Sequence, residues 1–376
     1  MRQNWSQIFL LAAGFLAFKL SLYALFARQI AHLPSALCLH DCYWYINIAT
    51  SGYERQSAIS GLQTGPANWA FLPLYPLLTR ALAWTGPSPL LASFILSNLS
   101  FLGFMLLGYR YLQLIQAKPE PIRFFAFLIS YPFGIYFSFT YTESLYALLT
   151  MGTFAALAQQ HPVRGAIFSA LLAATRVTGI FMVPIVAAKL LTPAWEYLRQ
   201  GDMRPALKNA LTALPVLFIA PLGLAAFMAF LYVHTGDALA FLHIETAWNR
   251  TPGDPFVPLA AGLFGAFQPS LAATVKYDSL FLSVCGIAGL AMAGWLLKQR
   301  RFGESWFLSA TVLAAASTGL VSLERYVLAN PVFMIFLFLL LSTGTRKRFL
   351  PYFILLGAAV QAYALHLWLE GSPLLI

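Results

Sequence analysis

Eleven apolar stretches run along this chain, at about 7–27, 88–109, 122–139, 143–159, 164–175, 177–192, 209–232, 278–297, 304–320, 327–343 and 349–369. They constrain the fold more than any other feature. A helix needs about 20 apolar residues to cross about 30 Å of hydrocarbon. In lipid, backbone N–H and C=O groups must be satisfied internally, so apolar runs of this length read as helices. Only 10% of the 376 residues are charged, against about 25% in a soluble domain. That excludes a soluble enzyme or binding module, and 15% aromatic content excludes disorder. The expectation is an all-α polytopic membrane protein, one domain over 1–376, with about 11 transmembrane helices.

The charged connections orient the spans. With the N-terminus in the cytoplasm and sides alternating, the inner face receives 15 of the 23 Lys and Arg residues, including Arg300, Arg301, Arg346, Lys347 and Arg348. The outer face receives 7: Arg28, Arg55, Arg80, Arg176, Arg250, Lys276 and Arg325. This is the positive-inside bias, and it explains the net charge of +10 without nucleic acid, for which no basic and aromatic interleaving is present. Residues 7–27 read as a retained span rather than a removed signal. Residues 164–192 are short for two spans, but one span would move the basic 199–208, 298–301 and 346–348 outside. Two short helices meeting near Arg176 are therefore expected. Residues 70–85 and 257–275 are apolar but contain Pro, and read as interfacial or re-entrant pieces. Lys19, inside the first span, should face the bundle.

Two long connections, 28–87 and 233–277, then face outward together with nine of the thirteen acids. Chemistry belongs there. In the first, Asp41 opens a stretch with Trp44, Tyr45, Ile48 and Ala49 at helical spacing, and Gly52 is a plausible stop. Asp41 reads either as an N-cap or as a carboxylate placed to take a proton from an acceptor hydroxyl. Glu143 heads an apolar helix, where capping and the helix dipole would suit it. Four residues at Cys38, His40, Asp41 and Cys42 leave open a zinc site or a Cys38–Cys42 disulfide.

An ordered set of short motifs adds to this. Asp41, Trp44, Tyr45, Ile48, Ala49, Gly52 and Tyr53 are followed by Phe71, Pro73, Tyr75 and Pro76. Tyr141-Thr142-Glu143-Ser144, Thr175-Arg176-Val177-Thr178-Gly179, Trp248-Asn249-Arg250 and Arg325-Tyr326 come next. In this set the chain resembles the PIG-V family, the GPI mannosyltransferase II type, and its bacterial relatives. His40 and Cys42 depart from the residues commoner beside that Asp.

The resemblance implies a GT-C glycosyltransferase fold, with interfacial helices in both outer loops, 28–87 and 233–277, which form the cleft. It implies transfer of a hexose, mannose in that family, from a polyprenyl-phosphate-sugar donor to a lipid-linked or glycan acceptor, with inversion. Asp41 would be the catalytic base. Arg325 and Arg176 would face the donor phosphate, since Arg binds phosphate through a planar fork. Glu143, Trp44, Tyr45, Trp248, Arg250, Tyr326 and His243 complete the expected substrate-binding set. No cofactor or metal is expected. The expected location is a bacterial inner membrane with the active site facing the periplasm. A transporter would place polar groups at the midplane of matching halves, which this chain lacks; a polymerase or ligase on the same scaffold is the other alternative.

Overall fold

The computed structural model describes residues 4–27, 32–57, 59–60, 63–267 and 273–371. Arg28, assigned to the outer side, and residues 268–272 of the apolar piece 257–275 lie outside these. The chain has the polytopic all-α class expected. Its described strands are limited to one antiparallel pair, Ile59–Ser60 with Gln63–Thr64.

Among the described residues, five helices are long and apolar enough to cross a membrane: Trp5–Phe26, Pro89–Leu114, Val177–Arg199, Val275–Lys298 and Leu350–Leu369. Other expected spans are shorter or broken, and proline explains two of them. Segment 209–232 lies in a pair, Met203–Ile219 and Leu222–Thr235, bent by 51°. Pro221 stands at the break, where it cannot donate a backbone hydrogen bond. Segment 122–139 ends as an α-helix, Pro121–Ile129, and resumes as the 3-10 turn Gly134–Phe137. Pro132 lies in the gap and disfavours helix at the residue before it.

That second break frees carbonyls inside the bundle, and distant side chains satisfy them. Lys19 Nζ donates to the Gly134 carbonyl at 2.7 Å, and Gln361 Nε2 donates to the Tyr131 carbonyl. The Lys19 ammonium also lies 4.5 Å from the Phe101 ring centroid. Lys19 therefore faces the bundle, in a structural pairing that makes an irregular segment tolerable at membrane depth.

The helix Glu143–Ala158 sits at the centre, with 14 of its 16 residues buried. It packs between Pro89–Leu114 and Pro162–Ala173. Gly152, Ala155 and Ala156 supply the small side chains that let neighbouring helices approach. The chain does break at Arg176, but only the helix before it is short; the one after it, Val177–Arg199, is long enough to cross. Pro162–Ala173 ends there, Arg176 is extended, and the chain re-enters helix through Val177–Met182 and Val183–Arg199. The proline-containing pieces form Leu74–Ala83 and Phe256–Gly265, each 10 residues long, too short to cross about 30 Å of hydrocarbon.

Candidate active site

The helix Cys42–Ser51 begins where expected, one residue after Asp41, and stops at Gly52, whose φ of 85° suits glycine. Asp41 stands at its N-cap position but its side chain makes no capping bond. Its Oδ2 instead accepts from Arg325 Nη1 at 3.0 Å. The capping reading of Asp41 is thereby replaced by a long-range ion pair.

Arg325 also donates from Nε to Glu143 Oε1 at 2.9 Å, and Arg176 Nη1 reaches the same oxygen at 2.7 Å. Four charges alternate along a row: Asp41, Arg325, Glu143, Arg176. Two carboxylates and two guanidiniums cancel, which suits a site removed from water, because an unpaired buried charge is strongly unfavourable. The guanidinium carbon of Arg325 lies 4.8 Å from the Tyr141 ring centroid, and that of Arg176 lies 4.5 Å from the Tyr326 centroid. These aromatic faces add cation–π attraction.

The row borders a cleft of about 410 Å³. The cleft draws on both expected outer loops, through 40–45, 70–72 and 245–250, and on the segments 175–178 and 321–326. Trp44 stacks on Phe71 with centroids 5.6 Å apart, and Trp248 meets Trp44 edge-on at 6.0 Å. Tyr45 meets Phe71 edge-on at 5.2 Å. The result is an aromatic wall facing a row of paired charges, a surface that suits a ligand with one apolar face and one polar face.

Of the expected residues, Asp41, Trp44, Tyr45, Arg176, Trp248, Arg250, Arg325 and Tyr326 all line this cleft. Two do not. Glu143 is 2% exposed and is absent from the cleft lining, and its carboxylate pairs with both arginines from behind. His243 points away, its Nδ1 2.6 Å from Asp237 Oδ2 on an exposed surface. That hydrogen bond holds the Asp237 carboxyl below its usual range.

Arg325, expected to meet the donor phosphate, is largely committed elsewhere: Nε and Nη1 serve Glu143 and Asp41. Arg176 and Arg250 are the more open cations. Arg250 is only loosely held, 3.6 Å from Glu245 and 3.4 Å from the Ser322 hydroxyl.

The cleft also contains residues outside the expected substrate-binding set: His40 and Phe71, which the sequence marked only as a possible metal ligand and a motif aromatic, and Glu245. Burial pushes the Glu245 carboxyl above its usual range, opposed by Arg250 and reinforced by Asp41. Its only sequence signal was its place in the acidic, aromatic second loop beside Trp248. Burial lowers the His40 pKa; Asp41 opposes this and Arg325 adds to it.

Cys38 and Cys42 are joined in a disulfide, so neither is available as a zinc thiolate. Among the described residues no group of three or more His, Cys, Asp or Glu side chains is placed to hold a metal.

No family model matches the chain, and no curated protein matches it. The PIG-V resemblance therefore rests on the residues quoted above. Among solved structures, the chain is similar to the crystal structure of ArnT from Cupriavidus metallidurans bound to undecaprenyl phosphate. The identity is 12% and the TM-score 0.45, covering 88% of this chain and 70% of that one. It is also similar to the archaeal oligosaccharyltransferase AglB from Archaeoglobus fulgidus, in complex with an inhibitory peptide and a dolichol-phosphate. There the identity is 14% and the TM-score 0.38, over 88% of this chain and 51% of that one. At these scores neither structure bears on the roles of the residues in this cleft.

Proposed function

We propose that this chain is an integral membrane glycosyltransferase of the GT-C type. It transfers a hexose from a polyprenyl-phosphate carrier to an acceptor hydroxyl, with inversion. Mannose is the sugar favoured by the PIG-V-like motifs. One observation carries the reading: Asp41 and Arg325, 284 residues apart, meet at 3.0 Å on a cleft that also presents Arg176 and an aromatic wall.

The chemistry follows from the geometry. Arg325 engages Oδ2 of Asp41, while Oδ1 accepts from no protein donor among the described residues. Oδ1 is the oxygen that takes the acceptor's hydroxyl proton. The acceptor oxygen then forms a bond to the anomeric carbon as the bond from that carbon to the phosphate oxygen breaks. The electron pair leaves with the lipid phosphate, and negative charge grows where Arg176 and Arg250 face the cleft. Preformed cations at that position lower the barrier without reorganising. Trp44 and Trp248 offer apolar faces to a sugar ring. The Cys38–Cys42 disulfide supports a site facing an oxidising compartment, in line with a periplasmic active face.

The test is transfer of labelled mannose from polyprenyl-phosphate-mannose to a lipid extract by purified protein in nanodiscs. Wild type should form product, and Asp41→Asn should lose at least about 100-fold in turnover while remaining folded. Near-normal turnover by Asp41→Asn would remove Asp41 from the mechanism. Wild type that neither transfers the sugar nor binds the donor would overturn the functional reading.

A further inference from the structure

Asp41 lies inside a covalent ring. The Cys38–Cys42 bond spans four positions and encloses Leu39, His40 and Asp41. A ring this small removes little freedom from the unfolded chain, since disulfide stabilisation grows with loop length. Its effect is local, and it falls on the backbone that presents Asp41.

Three observations converge on that backbone. His40 has a φ of 51°, the left-handed region, which a residue bearing a Cβ seldom occupies. Such a conformation persists only where its surroundings over-determine it, and it concentrates at functional sites. The surroundings here are the disulfide, with Cys42 fully buried, and a hydrogen bond from the Tyr141 hydroxyl to the Leu39 carbonyl at 3.2 Å. Lastly, Asp41 makes no capping bond to its own helix. Local hydrogen bonding does not set its side chain, so its direction depends on the backbone turn and on Arg325.

We propose that the Cys38–Cys42 disulfide is a positioning element for Asp41: by holding the turn at His40 it sets one carboxylate oxygen on Arg325 and leaves the other to the cleft. This rests on the glycosyltransferase reading for its catalytic consequence, but not for its geometric one. The device works only in the oxidised protein, so the site is complete only after the chain has met an oxidising environment.

Two experiments on full-length protein in nanodiscs test this. The first is steady-state transfer from polyprenyl-phosphate-mannose by wild type, Cys38→Ala, Cys42→Ala and the double variant. Cys38→Ala keeps the fully buried Cys42 side chain in place and truncates Cys38, which is 7% exposed, so the two single variants break the bond while disturbing the packing at different points. All three variants should lose about 10- to 100-fold in kcat, the cost of a small misplacement of a reacting group, with the donor KM nearly unchanged. A double variant with wild-type kcat overturns the proposal. So does a loss confined to the single variants, which would place the fault in the stray thiol.

The second experiment needs no activity. Asp41→Asn is introduced into wild type and into the double-alanine background, and thermal melting is compared. If the disulfide holds Asp41 on Arg325, the substitution lowers Tm in the disulfide-bonded protein and does so by less than half as much without the bond, the signature of coupled neighbours. Equal shifts in both backgrounds overturn the positioning role. An inactive wild type would sink the functional reading, while the melting cycle would still decide the positioning one.

Discussion

Glu143→Gln is the sharpest test of the charge row. The side chain is 2% exposed, and one of its oxygens receives both Arg176 at 2.7 Å and Arg325 at 2.9 Å. The other oxygen is buried without a partner among the described residues, so the glutamine amide fits the same space and the substitution removes charge more than shape. At an effective dielectric near 20, unit charges about 4 Å apart attract by about 4 kcal/mol. Glu143 takes part in two such attractions, and desolvation offsets a share of both. Taking one partner from a buried pair has a net cost of about 3–5 kcal/mol. Glu143→Gln should destabilise by that amount, because it leaves two guanidiniums against the single carboxylate of Asp41. Glu143→Gln/Arg176→Gln restores neutrality, so the pair should show a coupling energy of about 2–3 kcal/mol. The assay is equilibrium unfolding in mixed micelles for the two single variants, the double variant and wild type. A cost below about 1 kcal/mol for Glu143→Gln, or strict additivity, would refute the claim that this carboxylate neutralises both arginines.

Further outcomes follow from the same geometry. Arg176→Gln should raise the donor KM by about tenfold, the loss of one charge-assisted phosphate contact of roughly 1.5 kcal/mol; an unchanged donor KM would remove Arg176 from the phosphate site. His243→Ala should leave transfer at the wild-type rate, since its ring pairs with Asp237 away from the cleft; a large loss of turnover would show that the second loop closes over the ligand. Burial raises the Glu324 carboxyl to about 7, partly opposed by backbone hydrogen bonding and Arg325. Its folded-state pKa therefore lies above its unfolded one. As pH rises from about 4.5 to about 7, the unfolded chain gives up this proton while the folded chain keeps it, so stability falls with rising pH. Glu324→Gln should flatten that decline in melting temperature between these limits; identical pH profiles for the variant and wild type would contradict the burial argument.

Much of the site was legible because its components are local. Asp41, Trp44 and Tyr45 follow from helical spacing closed by Gly52, and Arg176 from the shortness of the apolar run around it. What escaped the reading has a common cause. Glu143 looked like a helix-end carboxylate, and its two arginine partners stand 33 and 182 residues away. His243 looked like a member of the cleft because it shares a loop with Trp248, yet the intervening turn directs it to Asp237. Glu245, two residues beyond His243, lines the cleft without any distinguishing motif.

By itself the amino-acid sequence determined the all-helical membrane class, the order of the apolar segments and the helix punctuation near Asp41, Gly52 and Arg176. These depend on hydrophobic length and backbone preference over a few residues, which any segment carries with it. Only the tertiary structure decided how the buried charges pair, that the two cysteines bond rather than bind metal, and that Lys19 and Gln361 satisfy a broken helix. Such choices depend on which helix ends arrive at the same depth and side. Buried polar groups must find partners wherever packing brings them together, however far apart they lie along the chain.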